Sequence, residues 1–175
     1  MLDLDVLIDE QTIYKRLDEI AEQIEKDYEN EEIIFVGILR GAFPFLWELS
    51  KRIQKNKITF EFMQISSYGN SFESSGNIEI KKDVSCDISN KNVLIIEDII
   101  DSGNTLDFLI KYLSEKNPKS LKIATLLSKP SRRIVDVPVD YIGFSIEDKF
   151  VLGFGLDLEQ HYRNLPYIAY VKDSE

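Results

Sequence analysis

The sequence has very few of the side chains that form disulfides or structural zinc sites. Among 175 residues there is one cysteine, Cys86, and one histidine, His161. A single cysteine excludes an internal disulfide, and these two side chains cannot supply the four nitrogen or sulfur ligands of a structural zinc site. Residues 1–11, MLDLDVLIDEQ, lack the basic residues of a secretory signal, and no apolar run approaches the ~20 residues of a membrane span. We therefore expect a cytoplasmic protein, complete as given, with no membrane partner.

Positive charge is also scarce. The chain has 21 Lys and Arg residues against 31 Asp and Glu residues, which gives a formal net charge of −10. Nucleic-acid binding requires clustered basic residues that dominate the local field, so we expect no nucleic-acid partner. A small phosphorylated ligand is still compatible with this charge, because it needs only one local pocket of hydrogen-bond donors.

The pattern of apolar residues predicts one α/β domain spanning residues 1–175. Apolar residues three and four positions apart predict helices at 9–28, 42–54 and 104–116. Runs of apolar or alternating residues predict strands at 33–39, 58–66, 78–84, 92–96, 121–127, 139–146 and 167–171. Because nearly continuous apolar strands alternate with helices, we expect a mostly parallel central sheet flanked by helices.

The segment at 93–106, VLIIEDIIDSGNTL, places three carboxylates directly after a predicted buried strand, on Glu97, Asp98 and Asp101. In an open α/β sheet, ligands bind at the carboxyl ends of the strands. Carboxylates there can accept hydrogen bonds from sugar hydroxyls, or hold Mg²⁺ together with oxygens of a ligand. Any one of these acids alone would be interpreted as a solvated turn residue, but the three together predict a site.

The residues that follow suit an anion, and they are Ser102, Gly103, Asn104 and Thr105. Backbone N–H groups in a glycine-containing turn and at the start of a helix bind phosphate. Carboxylates and an anion site are compatible when the ligand has distinct ends, as a ribose phosphate with a metal-bound diphosphate does. The loops GxxxxGK[ST] and GxGxxG are both absent, so ATPase and dinucleotide-binding functions lose their usual support.

The same segment resembles the signature with which type I phosphoribosyltransferases bind phosphoribosyl diphosphate (PRPP). Other segments are similar, in family order, to hypoxanthine-guanine phosphoribosyltransferases: VGILRGAF (36–43), SSYG (66–69), LLSKPSRR (126–133) and DKFVLGFGLDLEQHYRNLPYI (148–168). The resemblance covers about residues 33–170. It implies the type I phosphoribosyltransferase fold, with a small hood from the N-terminal and C-terminal segments and a flexible lid loop at about 66–77.

The resemblance implies an enzyme of purine salvage. It would transfer the 5-phosphoribosyl group from PRPP to hypoxanthine or guanine, giving IMP or GMP and diphosphate, with Mg²⁺. Two alternatives stay open, namely another acceptor such as xanthine, or a non-catalytic PRPP-sensing regulator. A regulator would often carry a basic face or lack the catalytic acid, whereas this chain is acidic and has Asp101. Relatives of this kind generally form homodimers or homotetramers.

Roles for the first cluster follow from the resemblance. Glu97 and Asp98 would bind the ribose hydroxyls and the first Mg²⁺. Asp101 would be the catalytic residue, accepting a proton at purine N7. Residues 101–105 would wrap the 5′-phosphate with N–H and hydroxyl donors.

Diphosphate and a second metal are assigned in the same way. Leu39, Arg40 and Gly41 would form the diphosphate loop, in which family members often have a cis peptide bond, and Arg163 would reach the diphosphate. Many relatives have Lys in place of Arg40, although either side chain supplies a positive charge. Asp157 would line the purine site and hold a second Mg²⁺.

The purine and the lid complete the resemblance. Lys129 would donate to the exocyclic O6 of the base and so select a 6-oxopurine, because a site built for an acceptor discriminates against an amino group. Phe150 would stack on the purine, and the backbone of Val151 would meet its edge. Ser67 and Tyr68 would begin the lid, whose closure would exclude water.

Overall fold

The structure is a computed structural model that describes residues 2–68 and 77–172. Its helices and strands, in chain order, are β1 (Leu4–Ile8), α1 (Glu10–Tyr28), β2 (Ile33–Leu39), α2 (Phe43–Ser50), β3 (Ile58–Tyr68), β4 (Asn77–Lys82), β5 (Asn92–Ile100), α3 (Asn104–Ser114), β6 (Ser120–Ser128), a 3₁₀ turn (Pro130–Arg132), β7 (Tyr141–Ser145), β8 (Val151–Leu152) and β9 (Ile168–Val171). Most of the lid predicted at 66–77 lies outside the described residues. Within them, no helix is long and apolar enough to cross a membrane.

A six-stranded sheet forms the centre of the described chain, in the order β4-β3-β2-β5-β6-β7. Strands β3, β2, β5, β6 and β7 are parallel to one another, and β4 pairs with β3 in the antiparallel direction at one edge. This confirms the predicted α/β class with a mostly parallel central sheet flanked by helices. Because parallel strands point the same way, the carboxyl ends of β2, β5 and β6 lie side by side at one edge.

Apolar side chains of β5 pack on both faces of the sheet. Leu94 and Ile96 join the core beneath α1 and α2, whereas Val93 and Ile95 join the core beneath α3. All four are buried. A strand covered on both faces needs a continuous apolar run, and the sequence VLII provides it.

Helix α1 begins where its sequence predicts. The backbone N–H of Thr12 donates to Asp9 Oδ1 at 2.7 Å, so Asp9 is the N-cap. Helix α2 ends at Ser50 rather than at the predicted residue 54. The chain continues in tight turns whose N–H groups bond three residues back, and Ile53 remains buried. The apolar pattern therefore extends past the end of the helix.

Strand β5 is longer than predicted and runs to Ile100 instead of ending at residue 96. Glu97 pairs with Thr125 of β6, and Ile99 pairs with Leu127, so the ladder continues past the carboxylates. Glu97 and Asp98 therefore lie within the strand and not after it, which corrects the expected boundary. The physical reason is that Ile99 and Ile100 resume the apolar pattern after two acids.

A smaller antiparallel sheet, in the order β1-β9-β8, joins segments from both ends of the described chain. Leu4 pairs with Val171, and Val151 pairs with Tyr170 on the other side of β9. Neither β1 nor β8 is predicted from the sequence. Strand β1 has one buried residue among five and contains Asp5, and β8 has two residues, which is too short to show a period.

Candidate active site

Three of the predicted site residues directly follow neighbouring strands of the central sheet. Arg40 follows β2, Asp101 follows β5, and Lys129 follows β6. Since β2 pairs with β5 and β5 pairs with β6, all in parallel, the three residues leave the same edge of the sheet. Residues 28 to 89 positions apart in the chain are thereby brought into one region, as expected for an open α/β sheet.

A cavity of about 240 Å³ opens at the end of β5, lined by Glu97, Asp98, Ile99, Ile100, Asp101, Ser102, Gly103, Thr105 and Leu106. The residues predicted to bind PRPP between 97 and 105 thus line one cavity, except Asn104, the first residue of α3. Gly103 is the N-cap of α3 and has a φ of +89°, which favours glycine. The helix start therefore faces this cavity without a capping side chain of its own.

Glu97 and Asp98 form an acidic pair, in which Glu97 is buried and Asp98 is half-buried. Glu97 is 7% exposed, and its Oε1 accepts from the Asp98 N–H at 3.0 Å. Burial, together with the negative charge of Asp98, raises the pKa of Glu97 well above its ordinary value. Burial also raises the pKa of Asp98, although hydrogen bonds and the charge of Arg163 oppose this. A cation bound between the two carboxylates would offset their negative charges.

The acidic pair fits Mg²⁺ in particular. No group of three or more Asp, Glu, His or Cys side chains suited to a metal occurs in residues 2–68 and 77–172. A cation at Glu97 and Asp98 would therefore take its other ligands from water and from the substrate. Mg²⁺ is commonly held by one or two carboxylates plus phosphate oxygens, so the donor set fits this ion.

The loop after β2 lies against the acidic pair. The Leu39–Arg40 peptide bond is cis, in the position where the family resemblance places it. A β-carbon on Gly41 would lie 1.7 Å from Asp98 Oδ2, and one on Gly155 would lie 2.0 Å from the Gly41 carbonyl oxygen. Two glycines therefore allow the predicted diphosphate loop to sit between β5 and the C-terminal segment.

Lys129 is buried, at 8% exposure, although a lysine after an apolar run would ordinarily be solvated. Its Nζ lies 3.9 Å from Asp101 Oδ1 and 3.5 Å from Asp148 Oδ1. The Lys129 N–H also donates to the Ile100 carbonyl at 2.9 Å, which ties the ends of β6 and β5 together. The structure therefore places the predicted purine contact beside the predicted proton acceptor.

Phe150 and Val151 lie in the segment that leads into the small sheet. The Phe150 side chain is 58% exposed, which is high for an aromatic residue and leaves a ring face free for stacking. Val151 is buried, because it begins β8. The two neighbours thus differ as their predicted roles require, one presenting a side chain and the other a backbone.

Asp157 and Arg163 are brought together by the C-terminal turn. Arg163 Nη2 lies 3.0 Å from Asp157 Oδ1, and Arg163 Nη1 donates to the Gly155 carbonyl at 2.7 Å. Arg40 Nη1 reaches the same region, 3.2 Å from Gln160 Oε1. The two predicted diphosphate arginines are therefore linked through Gln160, which also accepts from Arg163.

Sequence reasoning gave no role to the residues behind the phosphate loop. Arg133 donates through Nε to the Asp101 carbonyl at 3.2 Å and through Nη2 to Ser128 Oγ at 2.7 Å. The N–H groups of Ile134 and Val135 both donate to the Ser102 carbonyl. Arg133 belongs to the quoted segment LLSKPSRR, so the signal was present, but the spacing of residues did not indicate these contacts.

Only the start of the predicted lid can be placed. Ser67 is exposed and pairs with Ile78 in the β3–β4 ladder, and the backbone of Tyr68 pairs with that of Asn77. Residues 69–76 lie outside the described part of the chain. The predicted function of this loop stays a prediction.

Comparisons with known proteins agree with this geometry. A family model described as "Phosphoribosyl transferase domain" matches residues 4–159. The chain is 44% identical over 167 residues to a hypoxanthine-guanine phosphoribosyltransferase of Bacillus subtilis (strain 168), covering 95% of this chain and 92% of that protein. It is 48% identical over 170 residues to a hypoxanthine phosphoribosyltransferase of Escherichia coli (strain K12), covering 96% and 95%.

Solved structures agree as well. A crystal structure of a hypoxanthine-guanine phosphoribosyltransferase from Bacillus anthracis, with a HEPES molecule in its active site, matches with a TM-score of 0.93. The two sequences are 45% identical, and the match covers 98% of this chain and all of that one.

Proposed function

This chain belongs to the phosphoribosyltransferase family as one of its hypoxanthine-guanine phosphoribosyltransferases, enzymes of purine salvage, and on that premise we propose its reaction in detail. The 5-phosphoribosyl group of PRPP passes to N9 of hypoxanthine or guanine, giving IMP or GMP and diphosphate. The observation that carries this proposal is the meeting of Glu97, Asp98, the 101–105 loop and Lys129 at the ends of two paired strands.

The phosphoribosyl end of the substrate fits the cavity at the end of β5. The 5′-phosphate lies against the N–H groups of residues 102–105, with Ser102 and Thr105 as hydroxyl donors. Glu97 and Asp98 accept from the ribose hydroxyls. The phosphate and the acids are therefore separated along the end of one strand. The phosphate meets hydrogen-bond donors, and the ribose hydroxyls meet carboxylate acceptors.

Magnesium supplies positive charge to the diphosphate when it is bound. We assign Glu97 and Asp98 as its protein ligands, because they are adjacent in β5 and both line the cavity. Asp157 is the proposed ligand of a second Mg²⁺, and in the structure it pairs with Arg163. Arg163 and Arg40 add charge and N–H donors on the diphosphate side, and so stabilise the leaving group.

The purine binds between Lys129 and Phe150. The Lys129 ammonium donates to O6, and the exposed ring of Phe150 stacks on the base. As N9 bonds to the anomeric carbon, the carbon–oxygen bond to diphosphate breaks and the proton at N7 passes to the Asp101 carboxylate. An adenine would place an amino group before the buried ammonium, which leaves both donors unpaired.

Turnover with a panel of bases tests this assignment. Purified protein with PRPP and Mg²⁺ should form nucleotide from hypoxanthine and guanine, and chelation of the cation should abolish turnover. Nucleotide from xanthine alone would support the alternative acceptor. No product from any base, together with DNA binding in a titration, would support the regulator and overturn the enzyme.

We also propose a cytoplasmic homo-oligomer, either a dimer or a tetramer. Support comes from an aromatic patch beside the diphosphate loop, where Phe43 is 50% exposed and Trp47 is 47% exposed. Trp47 also contacts Phe60 edge to face, with ring centroids 6.3 Å apart. Contiguous exposed apolar surface of this kind favours a contact with a second copy. Light scattering coupled to size-exclusion chromatography measures the assembly, and a monomer at all concentrations would contradict it.

A further inference from the structure

Four charged side chains alternate in sign across the purine side of the site. Lys129 Nζ lies 3.9 Å from Asp101 Oδ1 and 3.5 Å from Asp148 Oδ1. On the far side, Arg132 Nη1 lies 3.4 Å from Asp148 Oδ2. The buried ammonium of Lys129 is therefore shared between two carboxylates, and the outer carboxylate is itself held by a second cation.

Asp148 belongs to the segment that presents the base-stacking ring. It lies between β7 and β8, two positions before Phe150. A tight turn fixes this segment, because the Lys149 N–H donates to the Glu147 carbonyl at 2.8 Å. Lys129 and Arg132 belong instead to the end of β6 and the 3₁₀ turn after it. One carboxylate thus connects the two sides of the proposed purine site.

We propose that Asp148 is a positioning residue that holds the Lys129 ammonium where a 6-oxopurine meets it. The inference rests on the proposed function, since it concerns the lysine assigned to O6. A buried ammonium requires a paired anion. If Asp148 lost its charge, Asp101 would be the remaining carboxylate within 4 Å of Lys129 Nζ in the described part of the chain.

Loss of the Asp148 charge should affect binding of the purine base and not binding of PRPP. Without the attraction of Asp148, the Lys129 ammonium moves toward Asp101 and away from O6. The Asp101 carboxylate, which accepts the N7 proton, is then occupied by this ion pair. Selection of a 6-oxo over a 6-amino base then weakens. Residues 102–105, which bind the phosphate, have no part in this ion-pair chain.

Asp148→Asn removes the charge while keeping the size of the side chain. We expect the KM for hypoxanthine to rise about fivefold, the upper range for a partly exposed ion pair, with the KM for PRPP unchanged. The ratio of kcat/KM for hypoxanthine to that for adenine should fall by a similar factor. Asp148→Glu, which retains the carboxylate, should recover part of the loss.

Glu147→Gln is the matched control, since it makes the same charge change one position away. Glu147 lines a different pocket with Leu7 and Ile146, so its substitution should leave both KM values unchanged. Arg132→Gln should shift the KM for hypoxanthine in the same direction as Asp148→Asn, but less.

Three outcomes decide the matter. A selective rise in the KM for purine in Asp148→Asn supports the proposal. Equal purine KM values in Asp148→Asn and Glu147→Gln, with an active parent enzyme, would overturn the role of Asp148 and leave the proposed function intact. A parent enzyme that makes no nucleotide from any 6-oxopurine would overturn both.

Discussion

Gly41 and Asp98 approach so closely that no other residue type fits between them, since a β-carbon on Gly41 would lie 1.7 Å from Asp98 Oδ2. Gly41→Ala should therefore displace the Asp98 carboxylate, which accepts from the Ile99 N–H at 2.7 Å and is the proposed ligand of the ribose and the cation. We expect kcat/KM to fall about 100-fold, because small displacements of positioning groups have effects of that size. Steady-state kinetics measure this.

Gly37→Ala provides the contrast on the same strand. Its β-carbon would lie 2.6 Å from Leu46 Cδ1, in the core and away from the cavity. Crowding there should lower the melting temperature, whereas it should have only a small effect on kcat. If Gly41→Ala and Gly37→Ala lost kcat/KM in the same proportion to their loss of melting temperature, the contact between Gly41 and Asp98 would have no specific role in activity.

Asp101→Ala tests the proposed proton acceptor. Its side chain is about half exposed and lies 3.9 Å from Lys129 Nζ, so its loss leaves little unsatisfied in the fold. General-base catalysis contributes roughly 10²- to 10⁴-fold, and we expect kcat to fall within that range while the dissociation constant for PRPP changes little. Single-turnover rates and PRPP titration separate the two effects. Unchanged turnover would remove Asp101 from the chemistry.

Arg133→Gln tests the support behind the phosphate loop. The arginine donates to both the Asp101 carbonyl and Ser128 Oγ, and its removal should loosen the loop proposed to bind the 5′-phosphate. Losing charge-assisted hydrogen bonds should raise the KM for PRPP about tenfold, with a smaller effect on the KM for the base. Lys111→Gln, which breaks an exposed ion pair with Asp107 on α3, is the control and should leave both values unchanged.

Tyr141→Phe tests a link between α1 and β7. The Tyr141 hydroxyl donates to Asp27 Oδ2 at 2.5 Å. Burial would raise the pKa of Asp27, but hydrogen bonds from Tyr141 and Gln23 and the charge of Lys122 outweigh it, so the pKa lies below its ordinary value. The variant should lose about 1–3 kcal/mol of unfolding free energy at neutral pH, because a charged acceptor loses its donor.

The pH dependence of that loss has a definite sign. Since the folded-state pKa of Asp27 is lowered, its stabilising effect is full above the unfolded value near 4 and is lost as pH falls through the folded pKa. The difference in unfolding free energy between the parent protein and Tyr141→Phe, measured by urea unfolding, should therefore decrease below about pH 4. Tyr28→Phe is the control, because the Tyr28 hydroxyl is buried without a hydrogen-bond partner in the described residues. A difference in unfolding free energy that stays constant across this pH range would show that it does not come from the Asp27 carboxylate.

Much of the fold could be predicted because local patterns coincide with tertiary burial. Strand β2 was predicted with its observed bounds, since its apolar run is buried on both faces and ends at the polar loop after Leu39. Helix α1 was predicted because Ile13, Leu17 and Ile20 share one buried face. Strand β5 was predicted too short, because two acids interrupt the pattern that the ladder with β6 continues.

The residues of the site could be predicted from the sequence, but the tertiary contacts among them could not. The cluster at 97–105 is local in sequence, and a resemblance named its ligand. The approach of Gly41 to Asp98, the ion pair of Lys129 with Asp148 and the bond from Arg133 to Ser128 depend on which strands pair and in what register. A single sequence does not encode these as a period or a spacing.

The small sheet has a consequence for how the protein is made. Its middle strand is β9, and both β1, from the start of the described chain, and β8, which carries Val151, pair with it. Chains emerge from the ribosome N-terminus first, and their parts fold as they are completed. The central sheet and the cavity at the end of β5 are complete once β7 has formed, whereas β1 has no strand partner until β9 follows. In a nascent chain, the cavity at the end of β5 is therefore completed before the small sheet that contains Val151.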